Sequence, residues 1–103
     1  RPEHIEGICN KFLTALEQAA LNRGRLTICF DRQQLVNMVR REMAKDDRLS
    51  SGGRGIKTLL EQVVERPINR WVFYNEPSEG TQLSVTLASN GTSILVNGQD
   101  VPR

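Results

Sequence analysis

The chain has 103 residues, of which 38% are hydrophobic and 25% charged, a balance typical of one soluble globular domain with a single modest core. Its 14 basic and 12 acidic residues give a net charge of +2, and the basic residues are scattered, without the aromatic-interleaved stripe typical of nucleic-acid binding. No apolar run is long enough to span a membrane. We therefore expect neither nucleic acid nor a membrane among the partners.

The first residues predict a helix that is already running where the sequence begins. Pro2-Glu3 suits a first helical turn, because the missing proline N–H has no helical partner to lose there. No methionine precedes this segment, and no charged-then-apolar leader resembles a signal peptide. We expect residues 1–103 to be a single domain of a larger cytoplasmic protein, with an ordered core over about residues 3–97.

The first helix and the first strand follow from two different periodicities. Apolar residues recur at spacings of three and four from Ile5 to Ala20, which predicts one long helix. Gly24 suits the left-handed cap at its end. Residues 25–30 then alternate between apolar and polar, which predicts a short strand with one buried face.

A second helix is predicted to begin after Asp31, whose side chain suits the N-cap position. Gln34, three residues later, completes a capping-box pattern. Leu35, Val39 and Met43 are expected to form the inner face of this helix.

The next helical stripe is the strongest pattern in the chain. A loop is predicted over residues 46–53 from their charges, serines and paired glycines. From Arg54 onward the apolar members of the stripe are Ile56, Leu59, Leu60, Val63, Val64, Ile68, Trp71 and Val72. Pro67 would cost a regular helix about 3 kcal/mol. Because the stripe continues in phase beyond it, we expect a kink or a brief break, and not the end of the helix.

Two further strands are predicted near the C-terminus. Residues 83–87 alternate, Asn90-Gly91 is a preferred pair for a tight hairpin turn, and Ile94 and Val96 carry the next strand. We expect that strand to end at Asn97-Gly98 and the remaining tail to be loose. The order helix-strand-helix-helix-hairpin predicts an α+β fold in which a small three-stranded sheet carries helices on one face.

The cysteine and histidine content offers no metal site. Cys9 and Cys29 each follow an isoleucine, and the simplest interpretation is two buried, reduced thiols. Because His4 is the only histidine, we expect neither a zinc site at metal-finger spacing nor a common histidine-dependent catalytic triad.

Acid–base catalysis and independent nucleotide binding are not expected either. Glu42, Glu61 and Glu65 fall on polar helix faces without an apolar pocket around them. The segment Gly52-Gly53-Arg54-Gly55 lacks the lysine and the preceding apolar strand of a P-loop. The chain by itself is therefore not predicted to be an enzyme.

Arg54 is the residue with the clearest potential for a binding role. At the first turn of a helix its guanidinium adds to the partial positive charge of the helix end, and together they suit a phosphate group. The alternative interpretation is a solvated surface arginine that follows a flexible loop. The residues alone leave both interpretations open.

The segment from Ser51 to Ile68 resembles the sensor-2 region of Clp-type AAA+ protein-unfolding ATPases. That family has Gly-Ala-Arg followed by a helix with a proline-apolar pair near its middle, and this chain has Gly52-Gly53-Arg54 and Pro67-Ile68. The predicted order of elements over about residues 3–97 also resembles the small C-terminal lid domain of that family.

The resemblance implies a lid domain of AAA+ type that lies beside a large domain of the same protein, which holds ATP in a P-loop. Arg54, with Gly53 and Gly52, would contact the nucleotide as the sensor-2 segment, and this domain would bind no metal. ATP hydrolysis would change the angle between the two domains. Neighbouring subunits of a hexameric ring would pass that movement to a polypeptide substrate, with the exposed sheet edge as a contact surface.

An adaptor without enzymatic activity is the alternative function. Such a module would bind a partner protein through its sheet edge or a helix face, and it would expose an apolar patch remote from Arg54. The lid interpretation instead predicts an exposed Arg54 at a helix start and a P-loop encoded upstream of Arg1.

Overall fold

Helices and four short strands make up the part of the chain that the computed structural model describes, residues 2–45 and 53–101. In chain order the elements are α1 (Pro2–Gly24), β1 (Thr27–Phe30), α2 (Arg32–Lys45), α3 (Gly53–Leu60), a π-helical segment (Glu61–Glu65), α4 (Arg66–Asn75), β2 (Gln82–Leu87), β3 (Ile94–Val96) and β4 (Gln99–Asp100). The predicted loop lies outside the described residues except for its last glycine, which begins α3. The α+β class is confirmed.

The strands form one mixed sheet in the order β1-β2-β3-β4. β1 and β2 are parallel, with Ile28 paired to Leu83, whereas β2–β3 and β3–β4 are antiparallel. Along β2, Leu83 and Val85 are buried while Gln82 and Ser84 are exposed. Successive side chains of a strand point to opposite faces, so this alternation gives the sheet one face against the core and one face toward solvent.

The fourth strand corrects the predicted three-stranded sheet. Asn97 and Gly98 have positive φ values of 53° and 78°, as the two central residues of a tight type I′ turn require. The chain therefore folds back on β3, where Asp100 pairs with Leu95. The prediction of a loose tail beyond Asn97-Gly98 was wrong for β4.

The hairpin between β2 and β3 is confirmed, but its turn is wider than the predicted Asn90-Gly91 pair. The Ala88 N–H donates to the Ser93 carbonyl at 2.8 Å and closes the loop at its base. Inside the loop, the Asn90 side-chain oxygen accepts hydrogen bonds from the N–H groups of Thr92 and Ser93 at 3.0 and 3.1 Å. These side-chain bonds organise a wider turn than the Asn-Gly pair alone predicts.

The helix that starts at Gly53 continues to Asn75 without interruption. Before Pro67 its bonding changes to the π-helical pattern over Glu61–Glu65, and the Arg66 N–H donates to the carbonyl five residues back. A proline has no N–H to donate and its ring clashes with the carbonyl four residues back, so the wider turn accommodates it. The predicted brief break is thus a π-helical segment, and the helix continues as expected. We refer to α3, this segment and α4 together as the long helix.

The end of α1 differs from the prediction. The left-handed residue is Arg25, with a φ of 56°, and not Gly24. The Arg25 N–H donates to the Leu21 carbonyl at 3.1 Å. A β-carbon on Gly24 would lie 3.4 Å from the Leu26 side chain, which is an ordinary van der Waals contact.

The start of α2 is tied to the sheet. The Gln34 N–H donates to the Asp31 side chain at 3.3 Å, which confirms the predicted N-cap. The second half of the capping box is replaced by a longer-range contact, because the Gln34 side-chain oxygen accepts from the Leu87 N–H of β2 at 3.1 Å. The Asp31 N–H donates to the Val85 carbonyl at 2.9 Å. Both bonds fix the position of α2 relative to β2.

The core lies between the helices and the inner face of the sheet, and among the described residues it contains only apolar side chains. Its most deeply buried members come from α1, α2, the long helix and the sheet. They are Cys9, Leu13, Leu35, Met38, Val39, Met43, Leu60, Val64, Leu83, Val85 and Val96. The predicted inner faces of α2 and of the long helix are confirmed, and Met38 is an additional core residue.

We expect Leu13→Ala to lower the free energy of unfolding by about 2–5 kcal/mol, because Leu13 is fully buried and its truncation leaves a cavity. Leu21→Ala in the same helix is the matched control. Leu21 is 47% exposed, and its truncation should cost about 0.5 kcal/mol or less. Urea unfolding followed by circular dichroism measures both variants, and equal losses would contradict this assignment of the core.

Candidate functional site

Gly53 and Arg54, two of the three residues predicted to contact nucleotide, form the first turn of α3. The first backbone N–H groups of a helix have no intrahelical partner and carry the positive end of the helix dipole. Gly52, the third predicted residue, lies outside the described residues. The backbone of Arg54 is therefore at a helix start, and its binding role stays a prediction.

The packing of α3 fixes the position of this helix start relative to the core. Ile56, Leu59 and Leu60 are buried, and α3 packs against both α1 and α2. The same helix continues to the buried Trp71 in α4. Arg54 consequently lies at the start of a helix that packs against the core along most of its length.

Arg32, which the sequence analysis did not single out, joins the start of α2 to one face of α1. Its guanidinium donates to the side-chain oxygens of Asn10 at 2.8 Å, Thr14 at 3.1 Å and Glu17 at 2.9 Å. A fourth bond reaches the Asn10 carbonyl at 3.2 Å. The three partners are spaced four and three residues apart and so share one face of α1. The sequence shows by this spacing that the three polar side chains share a face. Which arginine binds them depends on the packing of α2 against α1.

We expect Arg32→Ala to lower the free energy of unfolding by about 1–2 kcal/mol, because several charge-assisted hydrogen bonds are lost while partial exposure limits the value of each. Arg41→Ala in the same helix is the control. The Arg41 guanidinium makes a long 3.5 Å bond to the Gly91 carbonyl, so this truncation should cost about 0.5 kcal/mol or less. Urea unfolding of both variants measures the difference. If Arg32→Ala cost no more than Arg41→Ala, the bonds to α1 would contribute nothing to stability.

The two cysteines have different environments, which corrects the prediction that both are buried. Cys9 is fully buried in α1, whereas Cys29 lies on the exposed side of β1. Both are free thiols. Burial raises the pKa of the Cys9 thiol to about 11, against the smaller opposing effect of the Arg40 charge. Cys9 is therefore a protonated core thiol at neutral pH and not a nucleophile.

We expect the free energy of unfolding to fall as the pH rises from about 9 to about 11. The Cys9 thiol ionises near pH 9.0 in the unfolded chain but keeps its proton up to about pH 11 in the folded chain. Raising the pH through this interval therefore favours unfolding, by up to about 1.4 kcal/mol per pH unit from this group. Cys9→Ala should show a shallower dependence when urea unfolding is repeated across the interval. Identical slopes for the two chains would contradict the raised pKa.

Two further observations on the described residues concern clusters of metal-ligating side chains and membrane-spanning helices. Within residues 2–45 and 53–101, no three His, Cys, Asp or Glu side chains are grouped to hold a metal ion. His4 is exposed near the start of α1. No helix of the same residues combines the length and the apolar character needed to cross a membrane.

An exposed aromatic pair lies near the opposite end of the long helix from Arg54. Phe73 is 75% and Tyr74 61% exposed, and their ring centroids are 5.4 Å apart in an edge-to-face arrangement. Their separation from Arg54 along the helix is roughly 28 Å at 1.5 Å per residue. Large exposed apolar groups are typical of surfaces that bind a partner. The outward position of the pair could be predicted from the sequence. The helical period places Trp71 on the core side, and Phe73 and Tyr74 follow it on the other side of the helix.

Comparison of the chain with protein-family models finds no match, and comparison with curated proteins finds none either. The resemblance to Clp-type ATPases therefore depends on the residues of the Gly-Gly-Arg segment and on the order of elements. The family stays a prediction.

Proposed function

We propose that the chain is the nucleotide-sensing small domain of a Clp-like AAA+ protein unfoldase. Arg54 is the sensor-2 residue, and Gly53 and Gly52 allow the backbone to approach the phosphates closely. The observation that carries the proposal is the first turn of α3, where an arginine preceded by two glycines begins a helix with a buried inner face.

The chemistry of a helix start supports a phosphate as the ligand of Arg54. The unpaired N–H groups and the guanidinium both favour an anion, and an arginine fork matches phosphate oxygens. ATP carries one phosphate more than ADP, so a contact to the terminal phosphate is lost on hydrolysis. Because the sequence contains no P-loop, the nucleotide is held mainly by a large domain of the same protein.

The packing of the long helix against the core supports a mechanical role. A displacement at Arg54 acts on a helix that shares one core with α1 and α2, so the domain moves as a unit about its connection to the large domain. In this proposal, neighbouring subunits of a cytoplasmic hexameric ring transmit the movement to a polypeptide substrate. The exposed edges of β1 and β4 are contact surfaces for the neighbouring subunit.

We expect Arg54→Ala, in the protein that includes the ATP-binding domain, to retain nucleotide binding and to reduce ATP turnover by about tenfold or more. The reason is the loss of a charged contact to the reacting phosphates, which contributes chiefly to the chemical step. Arg66→Ala is the matched control, because it removes an exposed arginine from the same helix without touching the helix start. Steady-state ATP hydrolysis and a fluorescent-nucleotide titration measure the two effects.

Two outcomes would overturn the proposal. Unchanged ATP hydrolysis by Arg54→Ala would rule out the sensor role. The sequence of the gene provides the other test. The proposal requires a P-loop and an acidic Walker-B strand encoded upstream of Arg1, and without them no domain would hold the nucleotide that Arg54 is proposed to contact.

An adaptor that binds a partner protein is the second candidate function. The observation that favours it is the exposed pair Phe73 and Tyr74, an apolar patch remote from Arg54. In an adaptor, nothing would depend on Arg54 and no P-loop would precede the domain. The nucleotide experiment therefore separates the two functions.

A further inference from the structure

An open trough runs between α1 and the long helix. One stretch, with a volume of about 790 Å³, lies beside Phe12 and Glu61, and a second of about 350 Å³ lies beside Ala20 and Val72. Residue numbers rise in the same direction along both walls, so the two helices are parallel here. Glu65 lines both stretches, so they adjoin one another along the same pair of helices. At 1.5 Å per residue, the wall formed by α1 is roughly 24 Å long.

The α1 side of the trough is apolar and incompletely covered. Ile8, Phe12 and Leu16 line it, and each is only partly buried although it packs against the core. Their spacing of four residues places them along one line of the helix. A partner that covered this line would remove apolar surface from water, which is the main source of favourable free energy in protein association.

Five charged residues line the same trough, and their signs are segregated, with lysines at one end, glutamates in the middle and Arg23 at the other end. Lys11 and Lys57 lie at one end, and Glu61 and Glu65 follow Lys57 at successive intervals of one helical turn. Within the described part of the chain, none of these five side chains takes part in a hydrogen bond or an ion pair. The trough therefore presents an apolar line with two basic ends and an acidic middle.

We propose that this trough binds an amphipathic helix of a partner protein. The apolar stripe of that helix covers Ile8, Phe12 and Leu16. Acidic side chains on one end of it face Lys11 and Lys57, and basic side chains one to two turns further along face Glu61 and Glu65. A helix fits because the groove between two parallel helices receives the ridge of a third, and because its side chains repeat at the same one-turn interval as the charges on the wall.

The proposal does not depend on the proposed nucleotide-sensing function, because no step of it uses Arg54. It also differs from the aromatic pair, since the charges and the apolar line lie along α1 and the first half of the long helix. Failure of the Arg54 experiment would leave it standing, and its own failure would leave the nucleotide proposal standing.

A designed peptide tests the trough directly. The probe is a helical peptide of about 16 residues, the length of the trough, with leucines on one face, glutamates flanking its first turn, arginines flanking its middle turns and no charged residue in its last turn. Titration of the isotope-labelled 103-residue chain should shift the backbone amide signals of Ile8, Phe12, Glu61 and Glu65. A second peptide with serines in place of the leucines should not bind.

Charge reversal supplies the matched comparison. Glu61→Lys should weaken binding of the probe by about tenfold, whereas Asp100→Lys, the same charge change on exposed β4, should change it by less than about twofold. Replacing the arginines of the probe with glutamates should restore its binding to a Glu61→Lys, Glu65→Lys chain. Equal affinity of the probe for the native and Glu61→Lys chains, or signal shifts confined to the sheet or to Phe73 and Tyr74, would overturn the proposal.

Discussion

The unbroken course of the long helix past Pro67 is the constraint on which the rest of the structure depends. Leu60, Val64 and Ile68 are buried in succession across this point, so the apolar stripe stays on the core side through the change in hydrogen bonding. A proline in a regular α-helix would break this line, because it removes one bond and displaces a carbonyl. The π-helical segment absorbs the disruption within one turn. One helix can therefore contact α1 and α2 near its start and the sheet near its end.

The sheet imposes the complementary constraint. β1 and β2 are parallel neighbours, and a parallel pair requires a long crossover between the strands. Here the crossover contains α2 and the long helix, which pack against β2 and β3, while α1 packs against β1. The bonds from Asp31 to Val85 and from Gln34 to Leu87 fix the beginning of this crossover against β2. The pairing of β1 with β2 and the placement of the helices therefore depend on each other. The hydrogen bonds at the turn from β1 into α2 connect the two.

Features set by local periodicity were predictable from the sequence. The helices, the strand at Thr27–Phe30 and the N-cap at Asp31 all follow from patterns within a few residues of each other. The position of the tight turn was not predicted, because Asn90-Gly91 and Asn97-Gly98 have the same turn chemistry. In the wider loop the Asn90 side chain forms its own bonds to the backbone, whereas at Asn97-Gly98 both residues take positive φ.

Features set by tertiary contacts were not predictable in the same way. The bonds of Arg32 to α1 depend on how α2 packs, and nothing local to residue 32 specifies them. At the candidate site, sequence placed Arg54 at a helix start, but the trough beside that helix exists only because α1 and the long helix run parallel.

The two proposed surfaces lie close enough to influence one another. Lys57, at the basic end of the trough, is three residues from Arg54 on the same helix, and residues at that spacing have β-carbons about 5–6 Å apart. Charges at a separation of this order, below the Debye length of about 8 Å at physiological ionic strength, still interact in the presence of salt. An acidic side chain bound at Lys57 would reduce the positive potential that attracts a phosphate to Arg54. By thermodynamic linkage, a phosphate bound at Arg54 would weaken the binding of the acidic partner by the same factor. Partner and nucleotide would therefore compete through the charges on one turn of α3.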